Sequence, residues 1–224
     1  MWCIPPEQDG AFVARMEHVL DVYSRPYDPR FPVVCMDEQS FQLLSETRSP
    51  VPMGPGRKRV VDYEYTREGT CCVWMFVEPL GCWRDVRVTS HRKAVHWAQQ
   101  IRALADAPRY AQAERITLVC DNLNTHDFGS LYTGFDAAEA KRIMDRLELV
   151  FTPKHGSWLN IAESELSVLT RQSLGDRLAS ETAVAERATH WTTQRNNEQI
   201  GVDWHFTTGD ARIKLKRVYP KIKT

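Results

Sequence analysis

"PVVCMDE", residues 32–38, is an uninterrupted apolar run that closes on two acids. The same pattern returns in "ITLVCD", residues 116–121. A run of this kind suits a central strand covered on both faces. If Val33–Met36 and Ile116–Cys120 lie side by side as parallel strands, Asp37 and Asp121 emerge at neighbouring carboxyl-terminal ends. Two carboxylates placed there repel each other and raise one pKa, and a divalent cation between them removes the conflict.

The rest of the chain supplies a sheet around those two strands. Phe12, Met16, Val19, Leu20 and Tyr23 recur at helical spacing and predict an amphipathic helix that stops near Pro26. A polar, Pro- and Gly-rich loop spans residues 48–58. "TCCVWMFVEP" and "CWRDVRVTS" read as an antiparallel hairpin turning at Pro79, Leu80 and Gly81. "RKAVHWAQQIRALADA" is a helix with Ala94, Trp97, Ile101 and Leu104 on one stripe, "AAEAKRIMDRL" is a second, and "LELVFTP" is a strand. Another helix follows in "FTPKHGSWLNIAESELSVL", and a last one spans residues 181–195 before a basic tail. The expected class is α/β: a mixed five-stranded sheet, antiparallel hairpin plus parallel strands, flanked by helices. The expected parts are a linker helix (residues 1–30), a catalytic domain (31–180) and a C-terminal helix with basic tail (181–224).

Composition is that of an ordinary globular protein, with 42% hydrophobic and 26% charged residues. Twenty-nine basic residues balance twenty-nine acidic ones, which argues against coating nucleic acid through bulk charge. Charge is nevertheless locally uneven. Arg57, Lys58 and Arg59 sit together in a loop, and Arg212, Lys214, Lys216, Arg217, Lys221 and Lys223 crowd an acid-free tail, so both are candidate phosphate contacts. The six cysteines, Cys3, Cys35, Cys71, Cys72, Cys82 and Cys120, show no C-x-x-C pair, and those in apolar runs read as reduced core residues of a cytosolic protein. Neither a signal peptide nor a membrane-spanning run is evident.

A third carboxylate commonly completes a two-metal clamp, and the helix after residue 156 carries two, Glu163 and Glu165. Leu159, Ala162, Leu166 and Leu169 share one helical face, and the two glutamates flank it on opposite sides. Periodicity does not choose between them.

"CMDE", "DNLNTH" and "TPKHGSWLNIAESELSVL", with "WCIPPE", "DYEYTREGT", "FVEPLGCWRDVRVT" and "FTTGDARIKLKRVYP", together resemble a known pattern. It is that of bacterial insertion-sequence transposases of the insertion-sequence-630 group in the mariner superfamily, whose Asp-Asp-Glu site stands on a ribonuclease-H-like fold. In that family the first acid closes the first strand, the second opens a D-N-x-x-x-H segment, and the Glu follows W-L-N by three residues. The resemblance thus implies Asp37, Asp121 and Glu163 as catalytic residues and ligands of two Mg²⁺ or Mn²⁺ ions, and leaves Glu165 without a catalytic role, so that its loss should be mild. It implies cleavage of transposon-end DNA and attack of the freed 3′ hydroxyl on target DNA. Double-stranded DNA is the implied partner, with a homodimer in the complex and a cytoplasmic, nucleoid-associated location. Around the acids, Asn122 and Asn124 are expected to fix the loop by Asx turns, and His126 to bond near Asp121 or a phosphate. Lys154 and His155 are expected to meet a phosphate, Trp158 to pack or stack, and Ser157 and Asn160 to support the site.

The chain departs from the family in two ways. Complete transposases of this type carry helix-turn-helix modules ahead of the catalytic domain, whereas about thirty residues precede the first strand here, so end recognition is expected from a separate helix-turn-helix subunit. The stretch "QSFQLL" after Glu38 also lacks a basic residue expected there. Competing readings are a general nuclease or junction resolvase, a non-catalytic DNA-binding or regulatory fragment, and a two-carboxylate glycosidase that needs no metal.

Overall fold

In the computed structural model, residues 4, 7–51, 53–56, 58 and 62–221 are described. Cys3, Arg57, Arg59, Lys223 and most of the "WCIPPE" segment lie outside the described residues.

Five strands form one sheet: β1 (Val33–Glu46), β2 (Tyr65–Glu78), β3 (Trp83–Thr89), β4 (Ile116–Cys120) and β5 (Leu147–Phe151). Their spatial order is β3-β2-β1-β4-β5, antiparallel through β3, β2 and β1 and parallel through β1, β4 and β5. This is the mixed sheet anticipated above. One expectation needs correcting, because β1 does not close at Asp37. Its parallel ladder with β4 stops at Cys35 opposite Val119, but β2 continues to offer a hydrogen-bonding edge on the other side, so β1 runs on to Glu46.

Side chains alternate across the sheet with a period of two. Cys35, Val73, Met75, Val77 and Val119 face one layer of helices, which includes α1 (Gly10–Tyr23), α5 (Ile161–Gln172), α6 (Glu181–Asn197) and α7 (Thr208–Lys214). Val34, Met36, Trp74, Phe76, Leu118 and Cys120 face the other, built from α2 (Ala94–Ala105), α3 (Phe128–Gly134) and α4 (Ala137–Asp145). Trp74 and Trp97, both fully buried, anchor this second layer, and each large apolar side chain so placed contributes about 1.5–3 kcal/mol.

Two short helices escaped the sequence reading. α3 holds two glycines, which weaken helix propensity, and it is started by Asp127, whose carboxylate accepts from the Gly129 N–H. α7 opens on a capping box between Thr207 and Asp210. It turns part of the anticipated basic tail into a packed element: Ala211, Leu215 and Val218 join Phe12 and Met16 in the core, and Arg212 pairs with Glu17 at 2.8 Å.

Candidate active site

Asp37 lies two residues beyond the last parallel pair of β1, and Asp121 two residues beyond its counterpart on β4. Continuing the alternation from Cys35 and Val119 carries both carboxylates to the α5 side of the sheet. Glu163 stands in the first turn of α5, exposed, and shares the wall of an open cleft with Asp37, Glu38, Ser157, Leu166 and Arg171. Asp121 lines the adjoining depression with Asn122, Lys154 and His155, and Ser157 belongs to both.

Electrostatics bind these acids into one group. Burial, opposed by the Glu38 N–H that donates to its Oδ1 (2.8 Å) and reinforced by the charges of Asp121, Glu38 and Glu163, pushes the Asp37 carboxyl up to about 7. Asp121 moves the other way. Burial acts to raise it, but the adjacent His126, with the Leu123 N–H and Arg92, holds it below the usual carboxylate range.

His126 is 1% exposed and sits between two carboxylates, with Nδ1 2.6 Å from Asp121 Oδ1 and Nε2 3.1 Å from Glu38 Oε2. Neither ring N–H is aligned for a regular hydrogen bond, so both contacts are ion pairs. Burial disfavours the charged ring, yet the two carboxylates outweigh it and push His126 up to about 9.

Asn160 joins α5 to the sheet. Its carboxamide Nδ2 donates to the Met36 carbonyl (2.8 Å) while Oδ1 caps the helix at the Ala162 N–H (3.1 Å). The residue before Asp37 and the turn that bears Glu163 are thus held by one side chain. Ahead of it, Gly156 tolerates no side chain, because a Cβ there would stand 2.5 Å from Pro153 Cγ, and His155 adopts a left-handed φ of 63°.

The structure also separates the two glutamates. Glu165 is buried, with Oε2 2.5 Å from Arg84 Nε and Oε1 3.2 Å from Arg195. It belongs to the packing of α5 against β3 and α6, so the expectation that its loss should be mild is withdrawn. The Asx turn after β4 is made by Asp121, whose Oδ1 accepts from the Leu123 N–H at 3.1 Å. Asn122 instead donates to the Thr152 carbonyl and accepts from Arg15, and Asn124 is exposed. Trp158 packs edge-on to Phe206, with ring centroids 6.0 Å apart. Lys154, His155 and Lys58 are exposed, as are Lys216 and Arg217, while Lys214 lies 3.7 Å from Asp210 and over the Phe206 ring.

Glu38 and Arg92 were missed by sequence reading. Alternation along β1 turns Glu38 to the face opposite Asp37, which was readable; the approach of Arg92 to 3.9 Å from a different element was not. It also brings a base to the acid that lacks one in its own strand.

Residues 32–183 match the family described as DDE superfamily endonuclease. The chain belongs to that family. No curated protein matches it. Among solved structures, this DDE endonuclease is similar to the Mos1 transposase paired-end complex with left transposon end (15% identity, TM-score 0.57, covering 96% of this chain and 65% of that one). It is also similar to the Mos1 mariner paired end complex with Mn (17% identity, TM-score 0.54, 88% and 60%) and to the Mos1 strand transfer complex (17%, TM-score 0.53, 88% and 60%). The chain thus spans less than two thirds of the Mos1 chains, and the likeness establishes a ribonuclease-H-like fold.

Among the described residues, no three His, Cys, Asp or Glu side chains stand close enough to grip an ion without adjustment. The donor chemistry is nevertheless that of a hard divalent ion. Among the described residues that line the cleft, the acids Asp37, Glu38 and Glu163 offer oxygen donors, and burial with the neighbouring carboxylates raises the proton affinity of Asp37. In the DDE endonuclease described here, the residues fit Mg²⁺ or Mn²⁺.

Proposed function

We propose that this chain is the catalytic domain of a transposase that cleaves transposon-end DNA and joins the freed 3′ hydroxyl to target DNA, with Asp37, Asp121 and Glu163 as the metal-holding acids. The observation that carries the reading is that Asp37 and Glu163 line one cleft, with Asp121 on the depression adjoining it, in a domain of the DDE endonuclease family. The W-L-N-x-x-E and D-N-x-x-x-H segments further favour the bacterial insertion-sequence-630 group over a general nuclease or resolvase.

Asp37, Asp121 and Glu163 would hold two divalent ions, which when bound would supply positive charge to the attacking and leaving oxygens. The chain's own residues do the placing. Asp37 holds its carboxylate on a strand paired on one side with β2, Asn160 seats Glu163 opposite it, and His126 holds Asp121. Lys154 and His155, exposed beside Asp121, bind the phosphate backbone on its way into the cleft, aided by Lys58, Arg57 and Arg59 and by Lys216 and Arg217. Lys214 is a weaker candidate for that contact, since Asp210 already draws its charge. The DNA complex is read as a homodimer in the cytoplasm, with the ends recognised by a helix-turn-helix module.

The test is incubation of the protein with a labelled duplex carrying the terminal repeats that flank its gene, with Mg²⁺ or Mn²⁺, alongside Asp121→Asn. Metal-dependent nicking that the substitution abolishes supports the proposal. DNA binding without cleavage, unchanged by Asp121→Asn, identifies a non-catalytic DNA-binding fragment instead.

A further inference from the structure

Glu38 is a costly residue where it stands. Its side chain is 3% exposed and alternates to the opposite side of β1 from that of Asp37, and burial of a carboxylate is unfavourable unless a partner requires it. The partner is His126, and beyond His126 lies Asp121. The ring is fixed on its flat side as well, stacked on the fully buried Trp97 at 5.9 Å and 26°. Arg92 closes the far end, 3.9 Å from Glu38 Oε1.

Both contacts to Asp121, from His126 Nδ1 and from the Leu123 N–H, fall on Oδ1. Rotation of the carboxylate that would exchange its two oxygens is therefore opposed, and Oδ2 is the oxygen left for a ligand. We propose that Glu38 is a positioning residue that acts through His126 to lock the Asp121 carboxylate in one orientation for its divalent ion. This rests on the metal-holding reading of Asp121. Partners that orient a ligating carboxylate typically contribute ten- to a hundredfold in metal affinity.

Mn²⁺ binding without DNA, followed by the free-ion electron paramagnetic resonance signal, reads this directly, and the Mg²⁺ dependence of nicking reads it again. Glu38→Ala and His126→Ala should each raise the half-saturating Mn²⁺ about tenfold. The double variant should be no worse than the worse single one, because both act through one contact. Glu38→Gln should fall between wild type and Glu38→Ala, since its carboxamide oxygen keeps the place beside the imidazole but not the charge of the ion pair. A loss of fold alone would lower the bound fraction and leave the midpoint where it was. Should the alanine variants melt early, His126→Gln is the fallback: one amide cannot span both carboxylates, so a folded His126→Gln with a wild-type midpoint overturns the proposal. So do an unchanged midpoint in folded Glu38→Ala or additive losses in the double variant, which would mean that Glu38 does not act through His126. A wild type that binds no Mn²⁺ and nicks no DNA removes the metal reading and this proposal with it, whereas nicking with unshifted variants removes the proposal alone.

Discussion

Asn160 Nδ2 donates to the Met36 carbonyl at 2.8 Å, one residue before Asp37, while the same side chain caps the helix that carries Glu163. Asn160→Ala removes the cap, about 1 kcal/mol, and strands a buried carbonyl, about 1–3 kcal/mol more. Urea denaturation should show a loss of about 2–4 kcal/mol. Nicking by the remaining folded protein should also fall, because the helix start is no longer tied to β1; full activity per folded molecule would contradict this.

Glu163 and Glu165 should separate cleanly by assay. Glu163→Gln alters an exposed side chain, so its melting curve should match wild type while cleavage is lost. Glu165→Gln leaves Arg84, which is fully buried, and Arg195 short of their counter-charge, which should cost about 3 kcal/mol or more in chemical denaturation. A Glu165→Gln protein of native stability would remove the structural role assigned to it.

Lys154 is exposed on the wall it shares with Asp121. If it neutralises one phosphate, Lys154→Ala should weaken binding to any duplex and reduce the slope of log affinity against log salt by about one. Lys214→Ala should change that slope much less. Fluorescence anisotropy over a salt series measures both.

Glu17 provides a pH prediction. Its hydrogen bond from Arg212, opposed by burial and reinforced by Tyr219 and the Arg212 charge, holds the Glu17 carboxyl below its ordinary value of 4.5. A folded-state pKa below the unfolded one means that the stabilisation is present above 4.5 and is lost as pH falls through the lowered value. Wild type should therefore lose melting temperature more steeply than Glu17→Gln on acidification below 4.5. Parallel curves would show that the contact between α1 and α7 contributes nothing to acid stability.

The sheet was legible because "PVVCMDE" and "ITLVCD" show their burial in one dimension: an unbroken apolar run has nowhere to stand but between layers. The length of β1 was not legible, since past Asp37 its partner is β2 alone and its outward residues turn polar. Among the acids, strand order brought Asp37 and Asp121 together, whereas periodicity left Glu163 and Glu165 open; the family's W-L-N spacing pointed to Glu163, and the burial of Glu165 between Arg84 and Arg195 is in keeping with that choice. Both arginines come from other elements and leave no mark on the periodicity of α5. The short helices α3 and α7 are fixed by their caps and contacts, not by propensity, and so passed unread.

Asp37 is embedded mid-strand, with its backbone registered against Met75 of β2. It is the jaw of the cleft held by strand pairing. On the proposed function, any narrowing that lets the carboxylates share ions would fall on the other jaw, a helix seated by one amide side chain behind a glycine turn, and on the short loop after β4. On that same function, cutting and joining DNA at one centre would call for a gap that changes width between steps, and the two segments outside the paired strands are where the architecture would let that travel fall.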